Sequence, residues 1–285
     1  MTATVDTEPA FVDGLPADDY HADRTSISSS GLRALLPPGC PAQYLYDRNN
    51  PKPPKREFDL GNATHTEILG DGHEIEVIDA PNWLKADARE KRDAAYDQRR
   101  VPLLHHEYEQ VQAMAAAIRQ HPQAGPLFAG KGIAERSLYW TDPATGVRCR
   151  ARPDWLKEYP GLTLAVDLKT IKSSDPETVS RAIRDHSYHQ QDPLYIDGIT
   201  AVLKPADVRF VFVFVSKQPP HLITVGELVQ QDRDTGRARN ERALRIYADC
   251  QATGNWPDWT GTTTEIPPIA MPSWDSIRQA EEYLR

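Results

Sequence analysis

Arg152-Pro153-Asp154, a gap of twelve residues, and then Asp167-Leu168-Lys169 set two carboxylates and a lysine on segments that read as neighbouring strands of one hairpin. In residues 162–171, Leu164, Val166 and Leu168 alternate with Thr163, Ala165, Asp167 and Lys169, which is the period of a strand. Tyr159-Pro160-Gly161 supplies the turn, and residues 148–156 read as the strand before it. A turn centred between Pro160 and Gly161 puts Asp154 directly across from Asp167 on one face, with Lys169 one same-face step along. Facing carboxylates repel unless something compensates. A divalent cation would, and oxygen donors suit Mg²⁺ or Mn²⁺. Such an ion activates a water and stabilises charge on a phosphate. Lys169 would add positive charge, or position and deprotonate that water. The competing reading is a solvated strand face whose acids pair with Lys169 and Arg152.

Other residues bear on the choice. Arg148, Arg150 and Arg152 alternate along the strand expected to carry Asp154, so the row points at the same place and is a candidate DNA-binding surface. Lys52, Lys55 and Arg56 form a second basic cluster. A third, Lys85, Arg89, Lys91, Arg92, Arg99 and Arg100, is interspersed with Asp87, Glu90, Asp93 and Asp97 and reads as a solvated helix face. His65 lies on an expected helix, where a lone histidine serves many ordinary roles. Glu135 opens the strand before the one with Asp154 and can reach the same face, or stand in water at a strand end. Gln191 and Tyr195, spaced i, i+4, share one helix face and can hydrogen-bond a phosphate or orient the lysine. Pro193 between them removes one helical hydrogen bond and predicts a kink or restart there.

The elements that must position these residues follow from pattern. Residues 1–24 read as a poorly ordered tail. Ser26 to Ser30 offer several N-caps to a short helix ending at Leu36, before Pro37-Pro38. A second short helix covers 42–48, and 49–55 is a proline-rich loop. A helix over 58–69 ends at Gly70. A strand at 75–78 precedes helices over 86–99 and 103–120, the latter with Tyr108, Val111, Met114, Ala115 and Ile118 on one stripe. Strands at 134–140, 148–156 and 162–171 come next, then helices over 176–185 and 188–203. Strands at 208–215 and 222–225 and a long polar helix over 227–251 complete the pattern. This order predicts one α/β domain over 25–252, a small central mixed β-sheet flanked by helices, with residues 253–285 as a C-terminal extension.

Composition sets outer bounds. The chain has 285 residues, 39% hydrophobic and 26% charged, enough for one large core or two modest ones. No apolar run approaches membrane-spanning length, so no membrane partner is expected. Residues 1–19 are acidic and lack an apolar signal-peptide core. Three scattered cysteines, Cys40, Cys149 and Cys250, fit a reducing compartment, neither a disulfide framework nor a zinc site. The expected location is cytoplasmic. A net charge of −8 argues against a nucleic-acid partner, although local charge matters more than the sum. No glycine-rich phosphate loop follows a strand, which removes the nucleotide-triphosphatase reading.

Taken in order, His65, Glu135, Arg152-Pro153-Asp154, Asp167-Leu168-Lys169 and Gln191-Asp192-Pro193-Leu194-Tyr195 resemble the PD-(D/E)xK nucleases, and more narrowly the phage exonuclease VIII (RecE) type. Tyr20-His21 with Ser26-Ile27-Ser28-Ser29-Ser30-Gly31-Leu32 resembles that group's N-terminal signature. Phe212-Val213-Phe214-Val215 with Lys217-Gln218-Pro219-Pro220-His221 resembles its late strand pair. The similarity spans about residues 18–250. It implies the PD-(D/E)xK fold, with His65, Asp154, Asp167 and the Leu168 carbonyl as ligands of Mg²⁺ (Mn²⁺ substituting). It also implies Lys169 as the catalytic lysine, Gln191 and Tyr195 as the QxxxY pair, and Glu135 as an acid of less defined role. The activity implied is exonucleolytic hydrolysis of linear double-stranded DNA from its ends in phage-type recombination, by a homo-oligomer partnered with a single-strand annealing recombinase. Related nucleases with an iron–sulfur cluster use four cysteines, so no cluster is expected here. The alternatives are an endonuclease of the same fold and a non-catalytic DNA-binding protein on a decayed nuclease fold.

Overall fold

A ten-residue parallel ladder organises the molecule. In this computed structural model, which describes residues 8–51, 55–261, 263–266 and 268–284, Leu162–Ile171 pairs in parallel with Asp207–Ser216. Parallel neighbours require a crossover of a dozen residues or more, and helices Pro176–Asp185 and Tyr188–Leu203 supply it. Both faces of the ladder are covered, so its alternation separates two cores rather than core from water. Val166, Leu168, Val213 and Val215 pack with Ala63, Val111, Met114 and Ile118 on one side. Ala165, Phe210, Phe212 and Phe214 pack with Leu156, Val179 and Ile199 on the other.

In chain order the elements are β1 (Ala10–Val12), α1 (Ala17–Ala22), α2 (Ser29–Ala34), α3 (Pro41–Asn49), α4 (Asp59–Leu69), β2 (Ile75–Ile78), α5 (Ala86–Asp97), β3 (Val101–Leu104), α6 (His105–Gln120) and α7 (Ala124–Phe128). They continue as β4 (Ile133–Ala134), β5 (Ser137–Thr141), β6 (Arg148–Ala151), β7 (Trp155–Tyr159), β8 (Leu162–Ile171), α8 (Pro176–Asp185), α9 (Tyr188–Leu203), β9 (Asp207–Ser216), β10 (Ile223–Gly226), α10 (Gln230–Thr253) and α11 (Ser273–Tyr283). Among the described residues the main sheet has the order β10-β9-β8-β7-β4, mixed in direction, beside smaller sheets β1-β5-β6 and β2-β3. A third core joins α2, α3, α9 and α10 to β5 and β6 through Ile27, Leu32, Tyr44, Trp140, Cys149, Leu194, Leu244 and Tyr247. No described helix is long and apolar enough to cross a membrane. The small mixed sheet flanked by helices is the architecture the sequence predicts.

Four local expectations are corrected. The strand predicted over 148–156 is two: β6 ends at Ala151 in the small sheet, and β7 begins at Trp155 in the main one. Pro153 lacks the N–H that would continue a ladder. The strand predicted over 134–140 divides in the same way, into β4 and β5, at Glu135, whose φ is 49°. The first 24 residues, predicted as a tail, include β1 paired with β5 and α1 with Tyr20 buried; residues 1–7 lie outside the described ones. Residues 103–104, predicted to open a helix, instead end β3, which runs parallel to β2, and the helix begins at His105. Towards the C-terminus α11 buries none of its residues and leaves Trp274 and Ile277 exposed.

Candidate active site

Two antiparallel strands change sheet at one level, and the chemistry gathers there. The Glu135 N–H donates to the Asp154 carbonyl at 3.1 Å, tying the two crossing points together. β7 and β8 pair with Trp155 opposite Val166, the register expected from the Pro160-Gly161 turn. Asp154 therefore stands one step beyond the last pair, across from Asp167. At that end of the ladder the Leu168 N–H donates to Asp154 Oδ2 at 2.7 Å.

α4 delivers His65. Its Nδ1 meets the Gly61 carbonyl at 2.8 Å and its Nε2 meets Asp154 Oδ2 at 2.9 Å. Gly61 lets this helix sit against β8, because a Cβ there would lie 3.1 Å from the Thr170 hydroxyl. β8 delivers Asp167 and Lys169: Lys169 Nζ lies 2.5 Å from Asp167 Oδ2 and 5.0 Å from the centre of the Tyr188 ring, within cation–π range. Asp167 is 1% exposed. α9 delivers Gln191, whose Nε2 donates to Asp167 Oδ1 at 2.5 Å. Despite Pro193, α9 is one continuous helix from Tyr188 to Leu203, so the helix does not restart between Gln191 and Tyr195. Tyr195 turns its ring edge onto Phe210, 5.6 Å between centroids.

Burial without water makes these charges interdependent. It would raise the Asp154 carboxyl, but His65, Lys169 and the Leu168 N–H hold it below its ordinary value. The same burial, with the charge of Asp154, pushes Asp167 up to about 6 against the pull of Lys169. His65 rises to about 9, since Asp154 and the Gly61 carbonyl outweigh the cost of burying the imidazolium. Burial also opposes the Lys169 ammonium, yet Asp167 and Asp154 raise it above the ordinary lysine value. Glu135 is pushed up to about 7 by burial and Asp154, with Arg152 opposing.

The arginine row does not stay together. Arg152 is buried, with Nε 2.6 Å from a Glu135 oxygen and its guanidinium 5.4 Å from the Tyr20 ring centre. Arg150, also buried, donates to the Asp23 carbonyl at 2.9 Å and to Ser26 Oγ at 3.1 Å. Arg148 is partly exposed, 5.7 Å from the Tyr139 ring centre. Both inner arginines thus have protein partners, because β6 belongs to the small sheet. Of the second basic cluster, Lys52 lies outside the described residues, Lys55 pairs with Glu57 at 3.5 Å and Arg56 pairs with Glu107. In the third, Lys91 pairs with Asp87 at 3.0 Å and Arg99 with Asp18 at 3.1 Å.

Two further residues at the site, Tyr188 and Arg33, are not among those the sequence pattern points to, and a third, Tyr20, enters there only as part of the N-terminal signature. Tyr188 precedes Gln191 by three positions and Tyr195 by seven, so helical spacing does put it on their face. Tyr20 is a floor beneath Arg150 and Arg152, at 5.0 and 5.4 Å. Arg33, on α2, donates to the His186 carbonyl. Burial lowers its guanidinium while Tyr195, Tyr188 and Asp167 pull it upward. No local pattern distinguishes Arg33.

The donors suit a hard cation. Two carboxylates, one buried and one partly buried, converge with one imidazole, and Asp167 Oδ2, out of water, has the Lys169 ammonium beside it but no properly directed hydrogen bond. Among the described residues no three His, Cys, Asp or Glu side chains are already drawn into a metal cage; here Lys169 and His65 supply the neutralising charge.

A family model described as "PDDEXK-like domain of unknown function (DUF3799)" matches residues 28–266. The chain belongs to this family. Its fold is similar to that of a solved protein named "Putative exonuclease" from Eubacterium rectale, with TM-score 0.62 and 12% identity over 92% of this chain and 97% of that one. At that identity the likeness is one of fold. A second solved structure, of SSO0001, has TM-score 0.28 and 13% identity over 67% of this chain and 85% of that one, too low to support any inference. No curated protein matches the chain. Family and fold together make this a PDDEXK-like domain.

Proposed function

We propose that this protein is a Mg²⁺-dependent exodeoxyribonuclease that hydrolyses linear double-stranded DNA from its ends. The observation that carries the reading is the Asp154–Asp167 pair, Asp167 buried and Asp154 partly so, with Lys169 2.5 Å from Asp167 and Asp167 Oδ2 lacking a directed hydrogen bond. Leaving a buried acceptor poorly met costs stability, and facing carboxylates add to the cost. A divalent ion relieves both. Asp154, Asp167, His65 and the Leu168 carbonyl would hold it, with Lys169 and His65 released from the carboxylates they now neutralise. Bound there, the ion supplies Lewis-acid stabilisation of phosphoryl charge and a more acidic water.

The remaining roles belong to side chains. Lys169, raised as an ammonium by Asp167 and Asp154, orients the attacking water and offsets charge on the phosphoryl oxygens. Water oxygen bonds to phosphorus as the bond from phosphorus to the leaving sugar oxygen breaks; the proton the water gives up goes to solvent, and solvent returns one to the leaving oxygen. Gln191 fixes one Asp167 oxygen, so the other keeps its aim. Glu135, paired with Arg152, flanks Asp154 and adjusts its charge.

End-dependence rests on the absence of any base-reading module recognisable in the sequence, such as a helix-turn-helix or zinc finger. Contacts to phosphates alone suit an enzyme that tracks a backbone. With Mg²⁺, pure protein is expected to shorten linear duplex progressively, without a fixed fragment pattern, and to leave covalently closed circles intact. Discrete fragments from closed circles would establish an endonuclease instead.

A further inference from the structure

The deepest polar contacts outside the acidic pair lie where α10 crosses the first turns of α9. Gln190 and Asp192, the two neighbours of Gln191, are both 0% exposed, and each is gripped from α10. Asn240 Nδ2 donates to the Gln190 carbonyl at 2.7 Å, and the Gln190 side chain returns a bond to Asn240 Oδ1 at 3.1 Å. Arg239 Nε donates to Gln190 Oε1 at 3.0 Å. Arg233 forks onto both oxygens of Asp192 at 2.8 and 3.2 Å. Asn240 is itself only 4% exposed. Partly satisfied buried networks are costly, whereas a closed one such as this holds a single geometry.

Pro193 explains why α10 fits so closely. It has no N–H to return to the His189 carbonyl four residues back, so that oxygen is free to face outward. Gly236 meets it: a Cβ on Gly236 would lie 1.5 Å from the His189 oxygen and 2.4 Å from its carbon. A helix-breaking residue on one helix and a side-chain-free residue on the next thus allow a backbone-to-backbone approach that neither helix makes alone. The interval from His189 to Pro193 contains Gln191, whose amide holds Asp167.

We infer that α10 is the clamp that aims Gln191, with Asn240 and Gly236 as positioning residues for the Asp167 carboxylate. Neither touches the acidic pair. They act through α9, and the proposal depends on the nuclease reading only for its activity readout. The full-length protein without metal is the first test. In wild type the Gln191 side-chain amide gives an ¹⁵N–¹H pair, identified by its loss in Gln191→Ala, that exchanges slowly with water. Asn240→Ala is expected to speed that exchange at least tenfold while the β8 and β9 backbone amides keep their protection. With Mg²⁺ and linear duplex, kcat should fall by up to about 100-fold at unchanged KM, the scale of an ångström's misplacement. Leu244→Ala, one turn along on the same helix and buried in the apolar core, lowers Tm at least as much without touching Gln190. It should leave both the exchange rate and kcat near wild type. If Asn240→Ala fails to fold, Arg239→Ala removes one bond from the same network and is read in the same way. Unchanged Gln191 exchange in the network variant, or equal changes in Leu244→Ala, overturns the clamp. If wild type cuts no DNA, the nuclease reading fails while the exchange measurement still decides the clamp.

Discussion

Asp59→Asn should make the protein more stable at pH 8 than the natural sequence, by an amount that shrinks on acidification. Asp59 opens α4, the helix that carries His65, and is 4% exposed. The Tyr96 hydroxyl donates to its Oδ2 at 2.6 Å. Burial wins over that bond and the nearby Arg56 charge, lifting the carboxyl from 3.8 to about 6. A carboxyl raised on folding costs nothing below 3.8, where both states are protonated, and costs most above about 6, where both are ionised. Linkage between the two values sets a ceiling of about 3 kcal/mol at pH 8, of which about half persists at pH 5. The substituted amide would still accept from Tyr96 but brings an NH₂ group that needs a partner, an offset of about 1 kcal/mol. The net gain is then about 1–2 kcal/mol at pH 8 and near zero at pH 5. Urea unfolding followed by tryptophan fluorescence at the two pH values measures it. A variant no more stable at pH 8, or a gain that does not shrink at pH 5, refutes the burial argument.

Lys169→Ala should bind DNA and Mn²⁺ with near-normal affinity, by fluorescence anisotropy and calorimetry, yet lose most turnover. Lys169→Arg should not restore it, because a planar guanidinium places its charge differently from a compact ammonium. Arg148→Ala should weaken DNA binding alike for all sequences and lower the salt slope by about one. Arg150→Ala should instead lower stability by about 3–5 kcal/mol in urea melts, since it strips a buried partner from Asp23.

The hairpin register is legible in the sequence because a tight turn and a period-two pattern leave little freedom. Trp155 opposite Val166 follows directly from where Pro160-Gly161 falls. What pattern does not show is that one strand can serve two sheets. Alternation runs on through Arg148, Arg150 and Arg152, but the chain changes sheet between Ala151 and Trp155. Arg150 and Arg152 are therefore interior braces, Arg150 on Asp23 and Arg152 on Glu135, rather than members of one row. Strand order suggests Glu135, whereas its pairing with Arg152 depends on a positive φ that glutamate rarely adopts. Pro193 argues locally for a break in α9. The helix survives because the freed His189 carbonyl is met by Gly236, more than forty residues away in sequence, and no local propensity encodes such a contact. Residues 10–22 read as a tail because their order comes from pairing with β5 and from Tyr20 beneath two arginines, not from any periodicity of their own.

The most direct measurement is digestion of end-labelled linear duplex DNA by wild type and by Asp167→Asn, each with Mg²⁺ and with EDTA, after circular dichroism has established that both are folded. Asparagine keeps an acceptor for Gln191 but removes the charge needed to hold a divalent ion. We expect release of label by the wild type in Mg²⁺ alone, and none by Asp167→Asn under either condition. Full activity in Asp167→Asn, or wild-type digestion that persists in EDTA, would contradict a metal-dependent centre built on Asp154 and Asp167.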